Sequence, residues 1–115
     1  MTTLAFPELS EMQQHAKDAA DLLKQMSNEH RLLILCALGN QEYSVGELNE
    51  LVPLSQSALS QHLASLRNAE LVTTRKVSQT VYYRLQGDAA LRIIEVLQSL
   101  YCPDYQLPSS CGEKL

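Results

Sequence analysis

Ser55-Gln-Ser-Ala-Leu-Ser-Gln-His-Leu-Ala-Ser-Leu-Arg67 is the stretch from which the fold is read. Serine suits the position before a helix because its hydroxyl accepts a first-turn amide, so Ser55 is expected as a cap. Leu59, Leu63 and Leu66 then recur at steps of four and three, which gathers them on one apolar face. Gln56, Ser57, Ser60, Gln61 and Arg67 fill the other face, polar but barely charged. Alone, such a face is ordinarily just solvated. Its surroundings change the reading.

Beyond Asn68-Ala-Glu70 the period falls to two. Leu71 to Lys76 and Thr80 to Leu85, rich in Val, Thr and Tyr and joined by the tip Val77-Ser-Gln79, predict a β-hairpin. On the other side, Ser44-Val-Gly-Glu47 is a capping box opening a short helix with Leu48 and Leu51, which cannot run past Pro53. Before it, Ser27 or Asn28 caps a helix with the core run Leu32, Leu33, Leu35, Cys36 and Leu38. Gly39-Asn40 is expected to stop that helix in a left-handed conformation.

The outermost helices are amphipathic. Leu9, Met12, Ala16, Ala19, Leu23 and Met26 form the stripe of the first. Asp88 is expected to cap the last, whose stripe Leu91, Ile94, Leu97 and Tyr101 is widened by Ile93, Val96 and Leu100, with Pro103 ending it. The fold class is therefore mainly α (α+β): a winged helix-turn-helix of five helices with a two-stranded β-hairpin wing. The expected organisation is one DNA-binding and dimerisation domain over residues 1–103 and an irregular tail over 104–115. The outer helices expose more apolar surface than one small core covers, which predicts a homodimer through the first and last helices.

Composition agrees with one small domain: 115 residues, 45% hydrophobic and 19% charged. No run reaches the ~18 apolar residues of a membrane span. Met1 to Gln14 carries no Lys or Arg, so no secretory leader is read and a cytoplasmic location without membrane contact is expected. Net charge is −4, yet residues 55–85 set Arg67, Arg75, Lys76 and Arg84 against Glu70 alone. That basic segment is where an anionic partner would dock.

Side chains that enter a major groove must donate and accept hydrogen bonds without a large desolvation penalty. Gln56, Ser57, Ser60 and Gln61 meet this, and the amides at the helix start, beside Ser55, can hold a phosphate. Arg75, Lys76 and Gln79 sit near the hairpin tip, where a wing meets the DNA backbone or minor groove. His62 projects between Leu59, Leu63 and Leu66 and is as readily partly buried or phosphate-facing as base-reading. No Gly-rich phosphate loop, paired catalytic carboxylates or Cys-His motif is present, so an enzyme is not expected.

Met26-Ser-Asn-Glu-His-Arg-Leu-Leu-Ile-Leu-Cys36, Ser44-Val-Gly-Glu-Leu48 and Leu54-Ser-Gln-Ser-Ala-Leu-Ser-Gln-His-Leu63, continued by Leu66-Arg67 and Leu71-Val72, resemble the ArsR/SmtB family. The resemblance spans roughly residues 18 to 102. It implies a homodimeric winged-helix transcription regulator that binds an imperfect palindrome in double-stranded DNA and lets go when an inducer binds.

Many members of the family sense metals, and here this sequence departs from them. Tyr43 to Leu48 holds none of the paired cysteines those members carry, and no His lies between Asp88 and Cys102. A soft or borderline ion wants S and N donors, so neither a metal nor another cofactor is expected. Cys36 and Cys102 instead resemble the cysteine pair of the family's sulfide- and redox-responsive branch, which implies a small sulfur-containing inducer or an oxidant as the signal. Read alone, Cys36 in a Leu-rich helix is a small buried hydrophobe. Cys111, in the tail, is expected to have no role. In some relatives the outcome is repression; others displace a nucleoid silencer and raise transcription.

Overall fold

In the computed structural model, residues 6–102 are described. The expected tail and Cys111 lie outside them. The chain runs α1 (Phe6–Met26), α2 (Glu29–Leu38), β1 (Tyr43–Ser44), α3 (Val45–Leu51), α4 (Gln56–Asn68), β2 (Val72–Val77), β3 (Thr80–Leu85) and α5 (Ala89–Tyr101).

Local chemistry sets these boundaries. Asn28 caps α2, its side-chain oxygen accepting the amides of His30 and Arg31 at 2.9 and 3.0 Å. Ser44 and Glu47 form the reciprocal capping box of α3. Ser55 caps α4 by accepting the Ala58 amide at 3.2 Å. At the far end of α4 the amides of Glu70 and Leu71 return to the carbonyls of Arg67 and Leu66, a Schellman closure that places Glu70 at φ 63°.

Four expectations need correction. The sheet has three strands in the order β1-β3-β2, because Tyr43 and Ser44 pair with Tyr83 and Tyr82 beside the hairpin. Gly39 ends α2 at φ 47° and ψ −123°, a positive φ outside the left-handed helical basin. Asp88 occupies the cap position of α5 without a side-chain cap bond and lies 4.0 Å from Arg92 instead. Leu33 is exposed while Ile34 is fully buried, although Leu35 and Leu38 of the expected run are internal.

The core lies where α2, α3 and α4 meet under the base of the hairpin. Ile34, Leu35 and Leu38 of α2, Leu48 of α3, and Leu59, Leu63 and Leu66 of α4 have no exposed surface, and Val72 closes the core from β2. Each such side chain contributes about 1.5–3 kcal/mol of burial energy. The inward positions of α5 are Ala90, Ile94 and Gln98, a four-residue spacing that ends on a polar residue. Tyr101, in the predicted apolar stripe, is instead 79% exposed, as are Val96 and Leu100 in large part. Among the residues of α1 whose burial is described, Met26 alone is fully inside, and Leu9, Met12 and Leu23 are exposed.

Candidate nucleic-acid interface and cysteine groove

The short turn between α3 and α4 is clamped by the Asn49 side-chain amide, which donates to the Leu54 carbonyl at 2.6 Å. Three leucines pin α4 inward, so Gln56, Ser57, Ser60, Gln61 and Arg67 are left exposed on one polar surface. Ser55 and Ser57 hydroxyls sit 3.4 Å apart at the helix start, beside first-turn amides that point outward. The structure brings these six expected residues together along a single helix.

His62 departs from that face. It is half-buried against α2, where its Nδ1 accepts from Arg31 Nε at 3.4 Å and its ring lies 6.0 Å from that of His30. Burial first, and then the charges of Arg31 and His30, hold its pKa below the usual histidine value. Arg31 in turn donates to the Gln25 side chain at 2.7 Å, so α4 is braced against the α1–α2 junction. His30 and Arg31 were not singled out from the sequence, and nothing local to them signals this role.

On the wing, Lys76 and Gln79 are exposed, with Ser78 at φ 58° making the two-residue tip. Arg75 is exposed but engaged: its guanidinium donates to both carboxylate oxygens of Glu42, at 2.9 and 2.6 Å, and stacks 5.6 Å over Tyr82. The Arg75 hydrogen bond holds the Glu42 carboxyl below the usual carboxylate range, with Arg75 and Arg84 charges adding to it and burial opposing. Among the described residues, Arg67 and Lys76 make no ion pair.

A second feature lies between α2 and α5: an open apolar groove of about 550 Å³. Cys36 and Cys102 both line it, with Leu32, Leu33, Ile94 and Leu97 as walls. Cys36 is disulfide-bonded in this structure and Cys102 is a free, exposed thiol, so the two sulfurs are not joined to each other. The Gln98 side-chain amide donates to Cys36 Sγ at 3.4 Å. Among the described residues no three His, Cys, Asp or Glu side chains gather as a metal site requires, and no helix is long and apolar enough to cross a membrane.

A capped helix with an exposed polar face, a tight turn onto a shorter helix and an adjoining hairpin define a winged helix-turn-helix regulator of transcription. Residues 28–74 match the family described as "Bacterial regulatory protein, arsR family". The chain is 54% identical over 94 residues to the transcriptional activator HlyU of Vibrio cholerae serotype O1, covering 82% of this chain and 87% of that one. The structure of reduced HlyU from Vibrio cholerae N16961 superposes with a TM-score of 0.74 at 54% identity, over 80% of this chain and 97% of that one. The transcriptional repressor BigR from Xylella fastidiosa gives 0.77 at 35% identity, over 81% and 95%. This chain belongs to the arsR family; it is a DNA-binding transcriptional regulator and not an enzyme.

Proposed function

We propose that this chain is a cytoplasmic homodimeric repressor that reads an imperfect palindromic operator and releases it when Cys36 and Cys102 react with a persulfide or an oxidant. The observation that carries this reading is the shared groove: both cysteines line one cleft between α2, which packs on the reading helix, and α5, whose outer residues Val96, Leu100 and Tyr101 are exposed among the described residues. The exposed apolar residues of α1 and α5 support a two-fold dimer through those helices. Such an axis sets two copies of α4 into successive major grooves, with Ser55, Gln56, Ser57, Ser60, Gln61 and Arg67 against bases and phosphates. The wing's Lys76, Gln79 and, once freed from Glu42, Arg75 add backbone contacts; His62 acts by bracing α4.

The chemistry starts from the reduced protein. The Cys36 thiolate takes the outer sulfur of a low-molecular-weight persulfide, RSSH, and RS⁻ leaves. A second such transfer extends the chain by one sulfur. The Cys102 thiolate then attacks the sulfur next to the terminus, HS⁻ leaves, and a trisulfide bridges α2 to α5. A simple disulfide needs Cα atoms within about 7 Å, whereas added sulfur lengthens the reach and so selects persulfide over peroxide. Release follows only through a difference in DNA affinity between the two forms, typically ~1–3 kcal/mol or ~5–150-fold.

A gel shift on operator DNA tests this. Cys36→Ser is expected to bind as the parent does and to stay bound under persulfide, while the parent lets go. Release of the variant by the same treatment overturns the sensing assignment. A second reading concerns the outcome. The identity to an activator, 54% against 40% for the biofilm growth-associated repressor of Agrobacterium fabrum, supports a regulator that raises transcription. A promoter reporter with and without the chain decides the sign.

A further inference from the structure

Arg31 is a half-buried guanidinium held by neutral acceptors. Its Nη1 donates to the Gln25 side-chain oxygen at 2.7 Å and to the Gln25 carbonyl at 3.3 Å, and its Nε donates to His62 Nδ1 at 3.4 Å. Among the described residues no carboxylate pairs with it. One side chain of α2 thereby ties the last turn of α1 to the middle of α4.

Arginine offers donors and no acceptor, so the ring nitrogen that meets it carries a lone pair and the His62 imidazole is neutral. The His30 ring lies 6.0 Å away, and its Nδ1 is buried with no hydrogen-bond partner among the described residues. α3 and β2 also pack against α4. Of their charged groups, Glu47 is turned to the Ser44 amide and Arg75 to Glu42. Neither these nor Glu50 and Lys76 act on the His62 ring; Arg31 and His30 do, and no carboxylate does among the described residues. A proton on His62 removes the acceptor that Arg31 uses and sets an imidazolium beside the guanidinium with no acid to offset it. An asparagine carbonyl would accept from Arg31 at every pH, whereas a histidine ceases to accept just below neutrality.

We propose that Arg31 is a positioning residue that seats α4 through His62, and that proton uptake by His62 unlocks this seat, so that mild acid weakens discrimination between operator and random DNA. This rests on α4 being the reading helix of the function proposed above and is independent of the cysteine chemistry. The added positive charge by itself favours every duplex, because phosphates carry no sequence. A shifted α4 loses base contacts only, so the ratio of the two affinities isolates the shift.

The test uses reduced full-length protein, a duplex that it selects from a random-sequence library at pH 8, and an unselected duplex of equal length as reference. The affinity ratio is expected to fall about tenfold between pH 7.5 and 5.5, the effect of one hydrogen bond in each of two subunits. His62→Asn keeps the acceptor without the titration, and its ratio, whatever its level at pH 8, is expected to stay constant with pH. Arg31→Gln keeps a neutral donor, and its fall is expected at higher pH because no guanidinium opposes the proton. His15→Gln, on the exposed surface of α1, is expected to follow the parent. A flat parental ratio, a fall that survives in His62→Asn, or an unmoved fall in Arg31→Gln overturns the proposal. Urea titration without DNA gives a second measurement. A His62 pKa below the ordinary 6.5 adds stability above that pH which is lost as pH falls through it, so the parent should lose stability relative to His62→Asn. Parallel profiles overturn the proposal as well. Failure to select any duplex at pH 8 overturns α4 as the reading helix, whereas a selected duplex whose ratio ignores pH overturns the proton-sensitive seat alone.

Discussion

The reading face of α4 and the groove between α2 and α5 rest on one core but are assembled by different interactions. The α4 face is local. Its cap, its inward leucines and its polar side chains all fall within residues 55–67, and its outer surface meets solvent. The groove is long-range, made when helices 50 and more positions apart in sequence bring Cys36 against Gln98. A surface set by neighbouring residues tolerates change one residue at a time, whereas a site set by packing between helices moves when either helix moves. That is the property a switch needs in its sensing half and must not have in its reading half.

The largest expected effect is on what the two regions share. Leu63 has no exposed surface and holds α4 against the core on which α2 also packs. Leu63→Ala is expected to cost about 2–5 kcal/mol of stability, read as a fall in the denaturation midpoint at unchanged slope. Under mild denaturant DNA binding should be lost as Cys36 passes from its native reactivity to that of an unfolded thiol. A variant that lost operator binding while Cys36 kept its parental reactivity would show that the halves do not depend on one core.

How much of each region was legible in the sequence follows from the same difference. Ser44, Glu47 and Ser55 announced two helix starts because a cap acts over three residues. The leucine spacing of α4 gave its inward face directly. In α2, Leu32 to Leu35 is apolar throughout, so its phase could not be told from the pattern, and Ile34 rather than Leu33 proved internal. β1 is two residues long and overlaps the capping box, so no strand period could emerge. Gln98 broke the apolar stripe of α5, yet only a tertiary neighbour gives that break a meaning. Cys36 and Cys102 came from resemblance; that they line one groove came from the fold.

The wing offers a sharper division between a charge that is present and a charge that is available. Glu42 occupies Arg75 and approaches Arg84 at 3.8 Å, so two of the segment's cations share an acid that lies outside it. Glu42→Gln removes that carboxylate and frees Arg75 for phosphate. One additional phosphate contact per subunit, two per dimer, steepens the salt dependence by about 1.8 in log–log slope, or ~12-fold more loss between 50 and 200 mM salt. Affinity at low salt should rise for operator and random duplex alike, since phosphates carry no sequence. An unchanged slope would mean that the Arg75 guanidinium does not reach DNA, and it would leave Lys76 and Gln79 as the wing's contacts.

The smallest effect separates the reading helix from its own exit. Glu70 closes α4 at φ 63°, a left-handed conformation in which Cβ crowds the following carbonyl by ~1–2 kcal/mol for an L-residue. Glycine escapes the crowding but loses more chain entropy on folding, about 0.4–1 kcal/mol. The balance predicts that Glu70→Gly stabilises the protein by about 0.5 kcal/mol. It also removes the one acid of residues 55–85 without touching the polar face of α4. Urea titration should show the stability gain, while DNA affinity rises modestly at low salt and sequence preference stays fixed. A loss of stability would mean that the Glu70 side chain makes a favourable contribution in the closure of α4 large enough to outweigh its backbone strain.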